Sequence, residues 1–205
     1  MKSNAMLISG GTILTVNERD EMICNGAILV ENGLIVDIGP SEELLSKYNG
    51  VHVVDVSGQV VMPGLINLHL HSGLIRGTAE DLPVFEWLSR YVDPKHRALQ
   101  QEEAYAAARL CYAEGIKSGT TSVLDMYRFV HRCADAAEEI GIRATFAPYV
   151  ADRPGYDYFE TLDTNIQLIE DRNGSADGRI HVWVGLEHLA YCTEEAYVEA
   201  ARIAE

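Results

Sequence analysis

The sequence predicts an α/β protein in which a small β-sandwich segment over residues 6–62 precedes a β/α series over residues 63–205. Three observations predict it. Up to Met62 the chain consists of short β-rich runs broken by turn residues, the style changes at Pro63-Gly64, and four strand–helix alternations follow.

The first segment supplies its strands in order. Thr12-Ile13-Leu14-Thr15-Val16 leads into the polar turn Asn17-Glu18-Arg19-Asp20. Ala27-Ile28-Leu29-Val30 and Leu34-Ile35-Val36-Asp37-Ile38 flank Asn32-Gly33, a strong hairpin signal. Val51 to Val56 and Val60 to Met62 add two more runs around a Ser-Gly turn. Five or six short antiparallel strands are expected here. Ser3-Asn4-Ala5, ahead of Met6, reads as a cloning remnant.

The second segment alternates. Leu65 to Leu70 is a buried strand, and Gln101 to Ser118 is a helix with Ala104, Ala107, Ala108, Cys111 and Ile116 at helical spacing and Gly119 as its stop. Thr121 to Leu124 is a strand, then Phe129 to Ile140 a helix closed by Gly141. Ala144 to Val150 and Ile180 to Leu186 are strands around a helix at Thr161 to Asp171, and Thr193 caps a last helix beginning Glu194-Glu195. Such repetition implies a parallel sheet with helical crossovers. Four units make half of a β/α barrel, which needs eight, so the chain is expected to be part of a longer one.

Composition narrows the function. Of 205 residues 47% are hydrophobic and 23% charged, and the net charge is −15. A surface that acidic repels phosphate backbones, which argues against a nucleic-acid partner. Cys24, Cys111, Cys133 and Cys192 form no CxxC pair, so reduced thiols are expected. Neither a leader peptide nor a membrane-length apolar stretch is evident, and a soluble cytoplasmic protein without a membrane partner is the default.

The chemistry concentrates at His69 and His71. On a strand, residues i and i+2 share a face, so the two imidazoles can converge on one ion while Leu70 faces the helices. Neutral imidazole suits zinc, iron or nickel. The pair also ends the first barrel strand, the end at which barrel active sites form. Asp125, at the end of the second strand, either orients a ligand histidine or caps a turn. His52, His96, His131 and His181 lack a partner pattern and read as ordinary surface or core histidines.

A β-rich start, then Pro63-Gly64-Leu65-Ile66-Asn67, then His-x-His resembles the amidohydrolase superfamily. Leu74 to Pro83 with Glu86-Trp87-Leu88 is similar to the branch of methylthioadenosine and S-adenosylhomocysteine deaminases and chlorohydrolases. Gly119 to Tyr127 matches its second-strand motif, and Gly185 to Tyr191 resembles its Gly-Pro-His-x-Pro-Tyr segment. The resemblance implies the first half of a (β/α)8 TIM barrel of amidohydrolase type. It also implies one divalent metal, zinc or else iron, on His69 and His71, with Glu86 and His188 meeting a small-molecule substrate. The remaining metal ligands and the acid–base residues are expected beyond residue 205, and a homodimer or larger homo-oligomer is the expected assembly.

The implied reaction is deamination of an amino-substituted nitrogen heterocycle or nucleoside by metal-activated water. Chlorohydrolase or alkylamine hydrolase action on triazine-type rings is the alternative, and a non-catalytic scaffold homologue is a third reading. Two departures bear on the substrate. Leu186-Glu187-His188-Leu189-Ala190 lacks the flanking prolines, and Ala151 to Leu162 offers only Arg153 where homocysteine-type members clamp an amino-acid tail. Both favour a smaller ring.

Overall fold

The computed structural model describes residues 5–73 and 81–205. The loop motif that begins at Leu74 therefore falls, up to residue 80, outside the described residues, as do Ser3 and Asn4. The chain forms two compact units, Met1–Pro63 and Gly64–Glu205.

The first unit is one mixed sheet. Strands β1 (Ala5–Leu14), β2 (Met22–Glu31) and β3 (Leu34–Pro40) form an antiparallel meander. The β2–β3 turn is the predicted Asn-Gly hairpin: Asn32 and Gly33 both take positive φ, at 51° and 80°, as a two-residue turn of this twist requires. Helix α1 (Ser41–Lys47) then carries the chain across the sheet, so that β4 (His52–Asp55) returns parallel to β1, and β5 (Val60–Val61) pairs β1 in the same sense. The all-antiparallel expectation is corrected here. Strand direction is set by the crossover, and α1 makes β3-α1-β4 a βαβ unit.

The helix is fixed by burial on one side. Leu44 packs with Leu7, Ala27 and Leu29, and Tyr48 and Val51 lean on the same cluster. The Ser41 hydroxyl donates to the Gly26 carbonyl at 2.8 Å and accepts the Gly10 N–H at 3.0 Å.

The second unit is a parallel sheet in sequence order: β6 (Leu65–Leu70), β7 (Thr120–Asp125), β8 (Arg143–Phe146) and β9 (Ile180–Val182). Between β6 and β7 run α2 (Val84–Trp87), a π-helical turn over Leu88–Val92, α3 (Asp93–Ala98) and α4 (Gln101–Lys117). Pro94 has no N–H to offer the preceding turn, which is where the helix widens. The other crossovers are α5 (Val130–Ile140), then α6 (Leu162–Arg172) with the short α7 (Ser175–Gly178); α8 (Glu194–Ala204) follows β9.

The helices face the sheet as their patterns demand. Ala104, Ala108 and Tyr112 stand four apart on α4, and Val130, Cys133, Ala134 and Ala137 line one side of α5. These meet Val123, Ala144, Phe146, Ile180 and Val182 from the strands. Thr161 and Thr193 cap α6 and α8, accepting N–H groups of Thr164 at 3.1 Å and Ala196 at 3.3 Å. Strands β8 and β9 are shorter than the apolar runs suggest. Pro148 cannot donate to a ladder, and beyond Phe146 the chain leaves the sheet toward the site. No helix among the described residues is long and apolar enough to cross a membrane.

Candidate functional site

A cavity of about 270 Å³ opens beyond the C-terminal ends of the parallel strands. Each strand delivers lining residues just past or at its end: His69 and His71 from β6, Met126 from β7, Tyr149 from β8, and Glu187 and His188 from β9. The helical segment before α4 adds Trp87, Val92, Asp93 and His96. This is the end of a β/α sheet at which ligands bind.

The histidine pair converges as strand alternation requires. The two Nε2 atoms stand 2.9 Å apart, with the rings nearly perpendicular at 82°. Leu70, between them, packs against the core cluster. The Met126 carbonyl lies 3.0 Å from His71 Nδ1 and can only accept, so that nitrogen carries the proton. The Tyr149 hydroxyl oxygen is 2.5 Å from the same Nδ1. Burial pushes the Tyr149 phenol up, so it stays protonated and uncharged beside the ring. With Nδ1–H engaged, the lone pair of His71 rests on Nε2, toward His69. That donor set fits a metal ion: two imidazoles whose Nε2 atoms converge on a common point are ligands of the kind a divalent ion would take. Among the described residues no group of three or more His, Cys, Asp or Glu side chains is placed to hold an ion.

Asp125 is fully buried and does its work through the backbone. Its Oδ1 accepts the Ser72 N–H at 3.0 Å, and its Oδ2 accepts the Tyr112 hydroxyl at 2.5 Å. It thereby ties the end of β7 to the residue that follows His71. Burial raises its pKa, against these same hydrogen bonds, which lower it. Next along, Gly73 lies so close to Tyr127 that an added Cβ would stand 1.8 Å from the ring.

His188 lines the cavity. Its Nδ1 accepts the Ala190 N–H at 3.1 Å, which leaves Nε2 to carry the proton of the neutral ring. Glu86 does not join these residues. Its carboxylate pairs with Arg90 Nη1 at 2.5 Å, one helical turn on, and it is absent from the cavity lining. Arg153 is likewise engaged, donating from Nε to the Cys192 carbonyl at 2.9 Å.

Several lining residues escaped the sequence reading, His96, Tyr149 and Glu187 among them. His96 is 3% exposed, its ring lies among Tyr127, Tyr149 and Phe159, and burial lowers its pKa to about 4. Tyr149 sits where an apolar run ends, and Glu187 is the neighbour of His188. A signal existed for the last two, because both lie at the ends of parallel strands; His96 had none, since it comes from the long crossover.

The sequence and fold have relatives. The family model described as "Amidohydrolase family" matches residues 60–205, and one described as "Imidazolonepropionase-like composite domain, bacteria" matches residues 26–48. The chain is 37% identical over 201 residues to a 5-methylthioadenosine/S-adenosylhomocysteine deaminase of Desulforamulus reducens, covering 97% of this chain and 46% of that protein. It is 36% identical over 205 residues to a 5'-deoxyadenosine deaminase of Methanobrevibacter smithii, covering 98% and 46%. The solved structure of atrazine chlorohydrolase TrzN from Arthrobacter aurescens TC1 complexed with zinc superposes with a TM-score of 0.84 at 21% identity, covering 97% of this chain and 50% of that one. The chain thus spans about half the length of the curated relatives it matches. The α/β architecture with a histidine pair at the end of its first parallel strand belongs with that match: the chain is a member of the amidohydrolase family.

Proposed function

We propose that this chain is the N-terminal part of a metal-dependent hydrolase that deaminates an amino-substituted nitrogen heterocycle or nucleoside, exchanging ring C–NH2 for C=O and releasing ammonia. The observation that carries the proposal is the 2.9 Å approach of the His69 and His71 Nε2 atoms at the mouth of a cavity. Relatives that cover nearly all of the chain are named as deaminases of adenosine derivatives. In the proposal, the first unit belongs to a β-sandwich domain and the second is the first half of a barrel.

His69 and His71 would hold a divalent ion, zinc by the example of the zinc-complexed chlorohydrolase, or iron. Such an ion lowers the pKa of water toward about 7 and makes hydroxide available at neutral pH. The chain's own residues prepare the site. Met126 and Tyr149 hold His71 in the tautomer whose Nε2 lone pair faces His69. Asp125 fixes the backbone immediately beyond His71. His188 presents an N–H donor to the electron-rich edge of a ring as negative charge develops there. Trp87, Tyr149, Phe159 and Tyr191 supply flat apolar walls that suit a planar heterocycle and exclude bulk water. Glu86, whose carboxylate pairs with Arg90 outside the cavity lining, takes no part in this proposal. The remaining metal ligands and the acid–base carboxylate are assigned to the part of the barrel that follows residue 205. The setting proposed is the cytoplasm, in which the four cysteine thiols stay reduced, with a small-molecule substrate and a homo-oligomeric enzyme.

The test is ammonia release by the full-length, zinc-loaded protein across adenosine-type nucleosides, aminopurines, aminopyrimidines and aminotriazines. At least one panel member should yield ammonia and the matching oxo product. Release of chloride from chlorotriazines without any ammonia would replace deamination by the chlorohydrolase reading.

A further inference from the structure

The cavity holds a carboxylate for which the chemistry above has no use. Glu187 follows β9, is half-buried, and is fixed at its backbone, where the N–H donates to the Val150 carbonyl at 2.9 Å. Its side chain lines the cavity, and the charges that act on it are those of His188, Asp93 and His69, all on the same cavity wall. Burial pushes its pKa up, and its carboxylate has no hydrogen bond or ion pair among the described residues. Asp93 adds a second carboxylate to the lining, and no lysine or arginine is found in that lining among the described residues.

A separate observation points the same way. His96 lines this cavity at 3% exposure, and its Nδ1 has no hydrogen-bond partner. A carboxylate half out of water and an unsatisfied imidazole nitrogen both carry a desolvation cost that a polar ligand relieves. N–H donors suit the carboxylate. A second anion so close does not.

We infer that Glu187 is a specificity-determining residue: it accepts N–H donors of the substrate, so that the site takes neutral or cationic amino-heterocycles and discriminates against those bearing a carboxylate or phosphate. This deepens the deaminase reading and rests on it for its kinetic readout.

The experiment compares the full-length, zinc-loaded enzyme with its E187Q and E187D variants, using one aminoheterocycle with and without a carboxylate substituent. In the parent enzyme kcat/KM should favour the uncharged compound. E187Q should raise KM for that compound about tenfold and shrink the preference by a similar factor, as loss of a charged acceptor implies. E187D, which keeps the charge, should retain the preference. A parent enzyme that prefers the carboxylated compound, or an E187Q variant with unaltered preference, overturns the inference. If no ammonia is released from either compound, the deaminase reading falls separately. Calorimetric binding of the same two rings to the parent and to E187Q then decides the role of Glu187 by the same criterion.

Discussion

The Tyr149 hydroxyl oxygen lies 2.5 Å from Nδ1 of His71 and 3.5 Å from Nε2, the nitrogen that meets His69. Two residues 78 positions apart are thus joined across the end of β7, which lies between their strands β6 and β8. The Met126 carbonyl sets the tautomer and the hydroxyl supports it, and the tautomer decides whether Nε2 can act as a ligand.

Tyr149→Phe removes one acceptor of that Nδ1–H and leaves the Met126 carbonyl. Metal affinity of the full-length protein should fall about tenfold, the lower end of what loss of such a supporting contact costs. Competition titration with a chromophoric chelator measures it. An unchanged affinity would mean that Met126 alone fixes the ring.

Asp125→Ala strips a buried carboxylate from two donors, the Ser72 N–H and the Tyr112 hydroxyl. The Ser72 N–H is then left unsatisfied in the core and the Tyr112 hydroxyl keeps only its 3.3 Å contact with the Ser72 hydroxyl, a loss of about 1–3 kcal/mol of stability. Urea unfolding reads it directly. Tyr112→Phe, which removes one donor together with its bond, should cost less.

The buried imidazole of His96 makes stability depend on pH in a defined direction. Its folded-state pKa is lowered from 6.5 to about 4 by burial and by Arg128. Between those values the unfolded chain binds the proton and the folded chain does not, so stability is complete above 6.5 and falls as pH drops toward 4. The effect is worth about 3 kcal/mol at the acid end. In unfolding curves collected from pH 7 to pH 4, His96→Phe should lose less stability than the parent by about that amount.

Gly73→Ala pushes a methyl group into the buried ring of Tyr127, with 1.8 Å available. Relief requires the ring or the chain beside His71 to move, a cost of about 2 kcal/mol. Differential scanning calorimetry should show a lower Tm, and the shift in the chain beside His71 should weaken metal binding as well.

Much of this arrangement could be read from residue order alone. Asn32-Gly33 forces its hairpin because both residues accept positive φ, and His69-Leu70-His71 forces convergence because strand side chains alternate. Helix α1 was not legible: seven residues, the first three of them Ser41, Glu42 and Glu43, show too little period to stand out from a loop. Its omission turned a βαβ crossover into a presumed antiparallel meander. The cavity wall was legible only in part. His71, His96, Tyr149 and Glu187 meet through the register of separate crossovers, and no local pattern encodes that. Glu86 is a further case. Its motif position suggests a substrate contact, and in the structure its carboxylate pairs with Arg90 one turn later, outside the cavity lining.

The central claim, that His69 and His71 grip one catalytic ion, is tested most directly by metal content. Elemental analysis of the purified full-length protein should find close to one zinc or iron per chain, and essentially none in a variant in which both histidines are alanine but the circular dichroism spectrum is retained. Equal metal content in the two proteins would contradict the account.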